Sequence, residues 1–241
     1  MRIDILTLFP AMFESPFSDS IIKRAREKGL VELTTINIRD FARDKHAQVD
    51  DYPYGGGSGM VMKADVVGAA IEAVKTPDSW TVYMSPQGQP LKQEKVYKLA
   101  QKKHLIVLCG HYEGMDERVI TLIDEEISIG DYVLTGGELP AMVLVDAAVR
   151  LIPGVLGGEE SSLEESFSNL LLEYPQYTRP PLYKQEEVPG ILLSGHHENI
   201  RLWRKKQSLL RTLLKRPELL LEKEFDREER KLLEEILFNR E

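Results

Sequence analysis

Apolar residues come in short runs and helical periods that alternate along the first part of the chain. Arg2 to Leu8 reads as a strand, Ser18 to Lys28 as a helix stopped by Gly29, and Leu30 to Ile38 as a second strand. After a loop rich in Asp, Tyr and Gly, Ala64 to Val74 has the period of a helix that ends before Pro77. Trp80 to Ser85 predicts a strand closed by the turn PQGQP, Leu91 to Lys103 a helix, and His104 to Cys109 an unbroken apolar strand delivering Gly110. Glu126 to Ile129 predicts one more strand, and Leu139 to Leu151 an apolar helix. Such alternation predicts an α/β fold, a mainly parallel sheet with helices on both faces.

Beyond Ile152 the texture changes. PGVLGGEESSLEESFSN, residues 153–169, mixes Pro, Gly, Ser and Glu with few apolar anchors, the composition of a mobile linker. Leu192 to Lys215 then reads as a long helix halted by Pro217, and Asp226 with Glu229 makes a capping box for a last helix ending at Phe238. The expected organisation is a domain over 1–157, a flexible linker over 158–172 and a small helical domain over 173–241.

In open parallel sheets, ligands sit beyond the carboxyl ends of the strands. Three loops qualify: Ser85 to Gly88, GHYEGMD over Gly110 to Asp116, and Ser128 to Gly137. The last belongs to IGDYVLTGGELPAM, Ile129 to Met142, where Gly130, Gly136 and Gly137 allow a flat or phosphate-bearing ligand to approach the main chain. A plain tight turn between strand and helix is the alternative.

At 241 residues, 42% hydrophobic and 29% charged, the chain is that of a globular protein large enough for an enzyme. No apolar run approaches the ~18–20 residues of a membrane span. The start MRIDILTLFP has a short apolar core interrupted by Asp4, unlike a secretory signal, and Cys109 is the only cysteine, so a reducing, cytoplasmic setting is expected. The net charge of −8 speaks against nucleic acid, yet Ile200 to Arg216 carries Arg201, Arg204, Lys205, Lys206, Arg211, Lys215 and Arg216 with no acid among them. That stripe is either a partner site or a solvated helix face.

Several chemistries are excluded. YGGGSGM, Tyr54 to Met60, lacks the Lys-Ser or Lys-Thr of a phosphate-binding loop, so it is a plain connection or a lid. The first strand leads into no G-x-G-x-x-G, against a nicotinamide enzyme. His46, His104, His111, His196 and His197 lack zinc-site spacing and fit surface or packing roles. No G-x-S-x-G elbow supports a hydrolase, although a Ser-His-Asp triad assembled from distant residues stays open.

LCGHYEGMDERV (108–119), IGDYVLTGGELPAM, AAVRLIPGV (147–155), EYPQYTRP (173–180), VDDYPYGGGSGM (49–60) and LLSGHHENIRLWR (192–204) together resemble the bacterial tRNA (guanine-N1)-methyltransferases of the SPOUT class, in order along nearly the whole chain. The resemblance implies a deep trefoil knot, an exception to the avoidance of knots, with S-adenosylmethionine bound in the knotted loops. Carried onto this sequence, the cofactor residues are Tyr83, Met84, Ser85, Pro86, Gly110, Tyr112, Glu113, Ser128, Ile129, Gly130, Asp131, Tyr132, Val133, Leu134, Gly136, Gly137 and Pro140. It also implies a homodimer with the site shared between subunits, and tRNA contacts from Asp50, Tyr54, Gly55, Gly56, Arg201, Arg204, Lys205 and Arg211. A Mg2+ requirement is expected of such enzymes, while no metal-ligand cluster shows in the sequence.

The implied reaction is methylation at N1 of the guanine 3′ of the anticodon, guanosine-37. That nitrogen is protonated in neutral guanine, so a base must take the proton and a cation must hold the charge developing on O6. By resemblance the cation is Arg150, which would otherwise read as a surface arginine capping a helix. The family places an aspartate as base just before Ser-Phe; this chain has Glu165 there, one methylene longer, with Glu164 the less favoured substitute. The composition of residues 157–169 further implies a linker that orders only with tRNA. The rival readings are a SPOUT ribose 2′-O-methyltransferase, a non-catalytic RNA-binding factor that the acidic net charge favours, and, more distantly, a dinucleotide oxidoreductase.

Overall fold

The structure is a computed structural model and describes residues 1–157 and 165–238. It divides into two compact units, Met1–Gly157 and Gly158–Glu241. The first contains β1 (Arg2–Thr7), α1 (Glu14–Phe17), α2 (Ser20–Glu27), β2 (Glu32–Asn37), β3 (Asp50–Asp51), β4 (Val61–Met62), α3 (Ala64–Val74), β5 (Ser79–Pro90), α4 (Gln93–Ala100), β6 (His104–Cys109), β7 (Glu125–Ser128) and α5 (Glu138–Val149). Five strands form a parallel sheet in the order β2-β1-β6-β5-β7. Successive side chains leave a strand on opposite faces, and both faces are covered. Ile3, Ile5, Leu105, Val107 and Met84 pack with α2, α4 and α5 on one face; Leu6, Ile106 and Leu108 pack with Val66, Val67, Ala70 and Ile71 of α3 on the other. This is the expected α/β class, and β6 is buried throughout because it lies centrally with helices on both sides.

Two expectations need correction. The PQGQP turn does not simply end β5: Met84 pairs with Ile127, the chain loops out, and Gln89 and Pro90 return to pair with Ile127 and Ser128. The turn residues thus lie along β7. In the second unit, the long helix expected from Leu192 is interrupted. It consists of α6 (Gly190–Leu193) and α7 (His197–Lys215), separated where Gly195 takes φ +73° and Ser194 Oγ accepts the His196 N–H at 3.2 Å.

The second unit also has a two-residue-stranded hairpin, β8 (Leu182–Tyr183) and β9 (Glu186–Glu187), which no periodicity announced, followed after α7 by α8 (Glu218–Leu221) and α9 (Arg227–Phe238). The capping box at α9 forms as expected: the Asp226 N–H donates to Glu229 Oε2 at 3.0 Å, and the Glu229 N–H to Asp226 Oδ1 at 2.7 Å. Residues 158–164, where much of the expected linker and Glu164 fall, lie outside the described residues. The segment that follows is tied down. Leu172 N–H donates to Thr212 Oγ1 of α7 at 2.8 Å, Glu173 N–H to Ser166 Oγ at 3.0 Å, and Phe167 N–H to the Leu171 carbonyl at 2.8 Å.

Candidate functional site

The loops after β5, β6 and β7 converge at the carboxyl ends of the strands and enclose a cavity of about 400 Å3. Main-chain contacts hold them together. Gly137 N–H donates to the Gly110 carbonyl at 2.7 Å, His111 and Gly136 form an antiparallel bridge, and the Ser128 hydroxyl both donates to the Gly130 carbonyl (3.0 Å) and accepts its N–H (3.2 Å). A Cβ on Gly137 would stand 2.8 Å from both Cys109 Cα and Gly110 N, so only glycine permits this approach.

Of the residues expected at the cofactor, Tyr83, Met84, Ser85, Pro86, Gly110, Tyr112, Glu113, Ser128, Ile129, Gly130, Tyr132, Val133, Leu134, Gly136, Gly137 and Pro140 line this cavity. Asp131 does not. It is the apex of a γ-turn closed by the Tyr132 N–H on the Gly130 carbonyl at 2.9 Å, which carries it to the solvent side.

Lining residues that the sequence reading missed include Gln87, His111, Glu117 and Glu126. With Glu113 they give the wall three carboxylates and no lysine or arginine. Burial, reinforced by Glu126 and Glu117, pushes the Tyr83 phenol up to about 12, so it stays neutral. Beneath the wall, Glu138 at the start of α5 is 2% exposed; Thr7 Oγ1 donates to it at 2.8 Å, and His111 Nδ1 stands 3.9 Å away. Burial and this carboxylate push the Cys109 thiol up, which leaves it an inert part of the core.

The YGGGSGM segment is the tip of the hairpin β3–β4, and it lies against the GHYEGMD loop. Glu113 N–H donates to the Met60 carbonyl, Met62 N–H to Gly114 and Asp116 N–H to Met62, each at 3.0 Å. This brings Asp50, Tyr54, Gly55 and Gly56 into the hairpin beside the cavity wall, Tyr54 being fully exposed. Arg150 is placed otherwise. It caps the carboxyl end of the 12-residue α5, whose amino end is the Gly136–Gly137 loop. At about 1.5 Å per residue the helix separates them by about 18 Å, beyond the reach of an arginine side chain.

A Ser-His-Asp chain does exist. His104 Nε2 is 3.0 Å from Asp4 Oδ2, and its Nδ1 is 2.8 Å from Ser79 Oγ. It sits at the amino ends of β1, β5 and β6, away from the cavity, with His104 and Asp4 buried and Arg2 paired to Asp4 at 2.6 Å. It holds one oxygen, Oδ2, of the buried Asp4 carboxylate and activates no nucleophile at the pocket.

On α7, basic residues expected at tRNA are already engaged. Arg201 bonds Glu198 and Glu228, and Lys205 bonds Asp226 and Glu228. Arg204 stacks 4.7 Å from the Tyr174 ring, while Arg211 is half-buried. Arg201 first, then Lys205, hold Glu228 at about 2, well below the ordinary 4.5. Because the folded value is depressed, this pairing contributes above about 4.5 and is lost as pH falls through about 2. The expected result is a Glu228 carboxylate that stays ionised and paired from pH 7 to about 4.5 and loses its pairing between there and about 2, read from its side-chain carboxyl chemical shift.

A family model described as tRNA (guanine-1)-methyltransferase TrmD matches residues 1–222. A tRNA (guanine-N(1)-)-methyltransferase of Syntrophomonas wolfei subsp. wolfei is 72% identical over 241 residues, covering 100% of this chain and 99% of the relative. Proteins of the same name from Dictyoglomus turgidum and Carboxydothermus hydrogenoformans are 57% and 58% identical, covering 98% and 97% of this chain and 96% and 92% of their own lengths.

Proposed function

The chain belongs to the tRNA (guanine-1)-methyltransferase family, and from that premise we propose that it transfers a methyl group from S-adenosylmethionine to N1 of guanosine-37, the guanine 3′ of the anticodon. The observation that carries this reading is the cavity wall. Three carboxylates without a lysine or arginine suit a donor bearing a sulfonium and an ammonium, and repel a triphosphate. A volume of about 400 Å3 suits a ligand of that size. The donor supplies an electrophilic methyl group; the chain binds it through the backbone of the three interlocked loops, where the knot of the SPOUT class is expected. Glu165 takes the N1 proton, and Arg150 holds the charge that builds on O6. A carboxylate is a weak base for so poor an acid, so Arg150 must lower the proton affinity of the guanine as the proton leaves.

The position of Arg150 supports a homodimer whose sites draw on both subunits, since the length of α5, about 18 Å, stands between it and the Gly136–Gly137 loop of its own chain. Apolar exposure supports it too: Val133 is 83%, Leu139 51% and Val143 47% exposed, beside the pocket and along the outer face of α5. Leu139→Glu with Val143→Glu is expected to convert the dimer to monomer in sedimentation and to remove methyl transfer; a dimer that persists would move the interface elsewhere.

Among the described residues no helix is long and apolar enough to cross a membrane, and a tRNA substrate accords with a cytoplasmic site of action. Among the described residues no three His, Cys, Asp or Glu side chains are grouped to hold a metal.

The test is transfer of labelled methyl to unmodified tRNA with guanine after the anticodon, followed by digestion and mass analysis. N1-methylguanosine is expected. A 2′-O-methylated nucleoside, or equal transfer to tRNA with adenine at that position, would overturn the reading.

A further inference from the structure

The basic face of α7 is occupied by acids of α9. Arg201 Nε and Nη2 bond Glu198 at 3.1 and 2.8 Å, while Nη1 and Nη2 bond Glu228 at 2.8 and 2.5 Å. Lys205 bonds Asp226 at 2.9 Å and Glu228 at 3.0 Å, and Lys206 bonds Glu235 at 3.1 Å. Glu228 and Glu235 stand seven residues apart, on one face of α9. Arg230 of the same helix instead donates to the Phe225 carbonyl at 3.2 Å. A guanidinium has five N–H donors in a planar fork, and both edges of Arg201 already hold a carboxylate. Four of its five N–H groups are in these bonds, so it can grip a phosphate with a paired edge only by releasing one carboxylate.

We propose that Glu228 and Glu235 are affinity-setting residues: they hold the basic face of α7 as internal competitors of RNA phosphate, and tRNA docks there by exchanging carboxylate for phosphate at Arg201, Lys205 and Lys206. This rests on the reading of α7 as tRNA-facing and adds a role for α9, which lies beyond the residues matched by the family model. Exchange is physically easy. Half-exposed ion pairs are individually weak and screened by salt, and each phosphate gained releases counterions from the RNA. The exchange also accounts for the charge balance. A chain with net charge −8 still presents seven cations between Ile200 and Arg216, yet at least four of them, Arg201, Lys205, Lys206 and Arg216, are matched by carboxylates of the described residues within its own unit. An uncompensated stripe would hold any RNA backbone; a compensated one favours an RNA whose phosphates arrive at all the exchange positions together.

The test titrates the full chain with unmodified tRNA and with an unrelated RNA hairpin over a range of salt. Glu228→Gln with Glu235→Gln is expected to tighten binding of both RNAs about 3- to 10-fold, to steepen the dependence of log Kd on log salt by about 1 to 2, and to narrow the preference for tRNA. Unchanged or weaker binding with an unchanged slope would overturn the proposal. Glu235→Gln alone leaves the Arg201 pairs in place and should show the same change at smaller size, which keeps the test valid should the double variant lose helix content. Arg201→Ala with Lys206→Ala separates the two layers of the argument. Weaker tRNA binding there, with no gain in the glutamine variants, removes the competitor role alone; no effect there removes the tRNA-facing reading of α7 itself.

Discussion

Arg150→Ala lowers methyl transfer by about 100- to 1000-fold, the usual cost of removing one donor from a developing anion, while affinity for S-adenosylmethionine stays within about twofold. The separation follows from the fold. The candidate donor cavity lies among the loops at the amino end of α5, whereas Arg150 caps its carboxyl end. On the proposed reading its guanidinium serves the guanine rather than the donor pocket of its own chain. Lysine at this position recovers little, because a point charge cannot present the paired N–H groups that a purine edge takes from arginine. Glu165→Gln, which keeps the shape and removes the base, costs about 100- to 10,000-fold with donor binding likewise intact. Equilibrium dialysis beside single-turnover transfer checks both variants; a loss of donor affinity in either would reassign that residue to the pocket.

Gly137→Ala is expected to lose donor binding and stability together. Its Cβ would meet main-chain atoms, Cys109 Cα and Gly110 N at 2.8 Å, at the end of the fully buried β6. Neither atom can turn aside as a side chain can. The Gly137–Gly110 hydrogen bond would stretch, and overpacking of this kind costs about 1–3 kcal/mol. At Gly136 the obstacle differs. A Cβ there would press on the Glu138 carboxylate and stand 2.6 Å from His111 Nδ1, both side-chain ends. Gly136→Val should therefore keep the fold and lose donor affinity about 10- to 100-fold, within the same range of strain. Melting temperature with calorimetric donor titration distinguishes the two. Equal stability loss in both would mean that Gly136 is as much a backbone crossing as Gly137.

Much of this was legible in the chain. β6 and α3 were readable to the residue because an unbroken apolar run and a clean helical period are hard to mistake. The capping box at Asp226 was readable because its chemistry spans only three residues. The pocket was legible as three glycine-bearing loops at strand ends. What escaped is contact between residues far apart in sequence. Nothing near Glu138 in the sequence points to its burial, because the group that donates to it, the Thr7 hydroxyl, lies 131 residues away. The stripe from Arg201 looked unopposed because its carboxylates lie 21 to 29 residues further on. Two-residue strands are too short to show a period, and a lone Gly195 did not announce that it would divide a helix. The distance from the glycine loop to Arg150 was implicit in the length of α5, and it became informative only when the strand ends were seen to hold the pocket.

Co-expression of Gly136→Val and Arg150→Ala chains tests the central claim most directly. At a donor concentration well below the weakened Kd of the Gly136→Val pocket, each variant alone is expected to be nearly inactive. In a two-fold dimer with shared sites, the mixed species joins an intact pocket from one chain to an intact Arg150 from the other, so random pairing restores roughly a quarter of wild-type transfer. No recovery, with mixed dimers verified by differential tags, would place the pocket and Arg150 in service of the same chain and contradict the account.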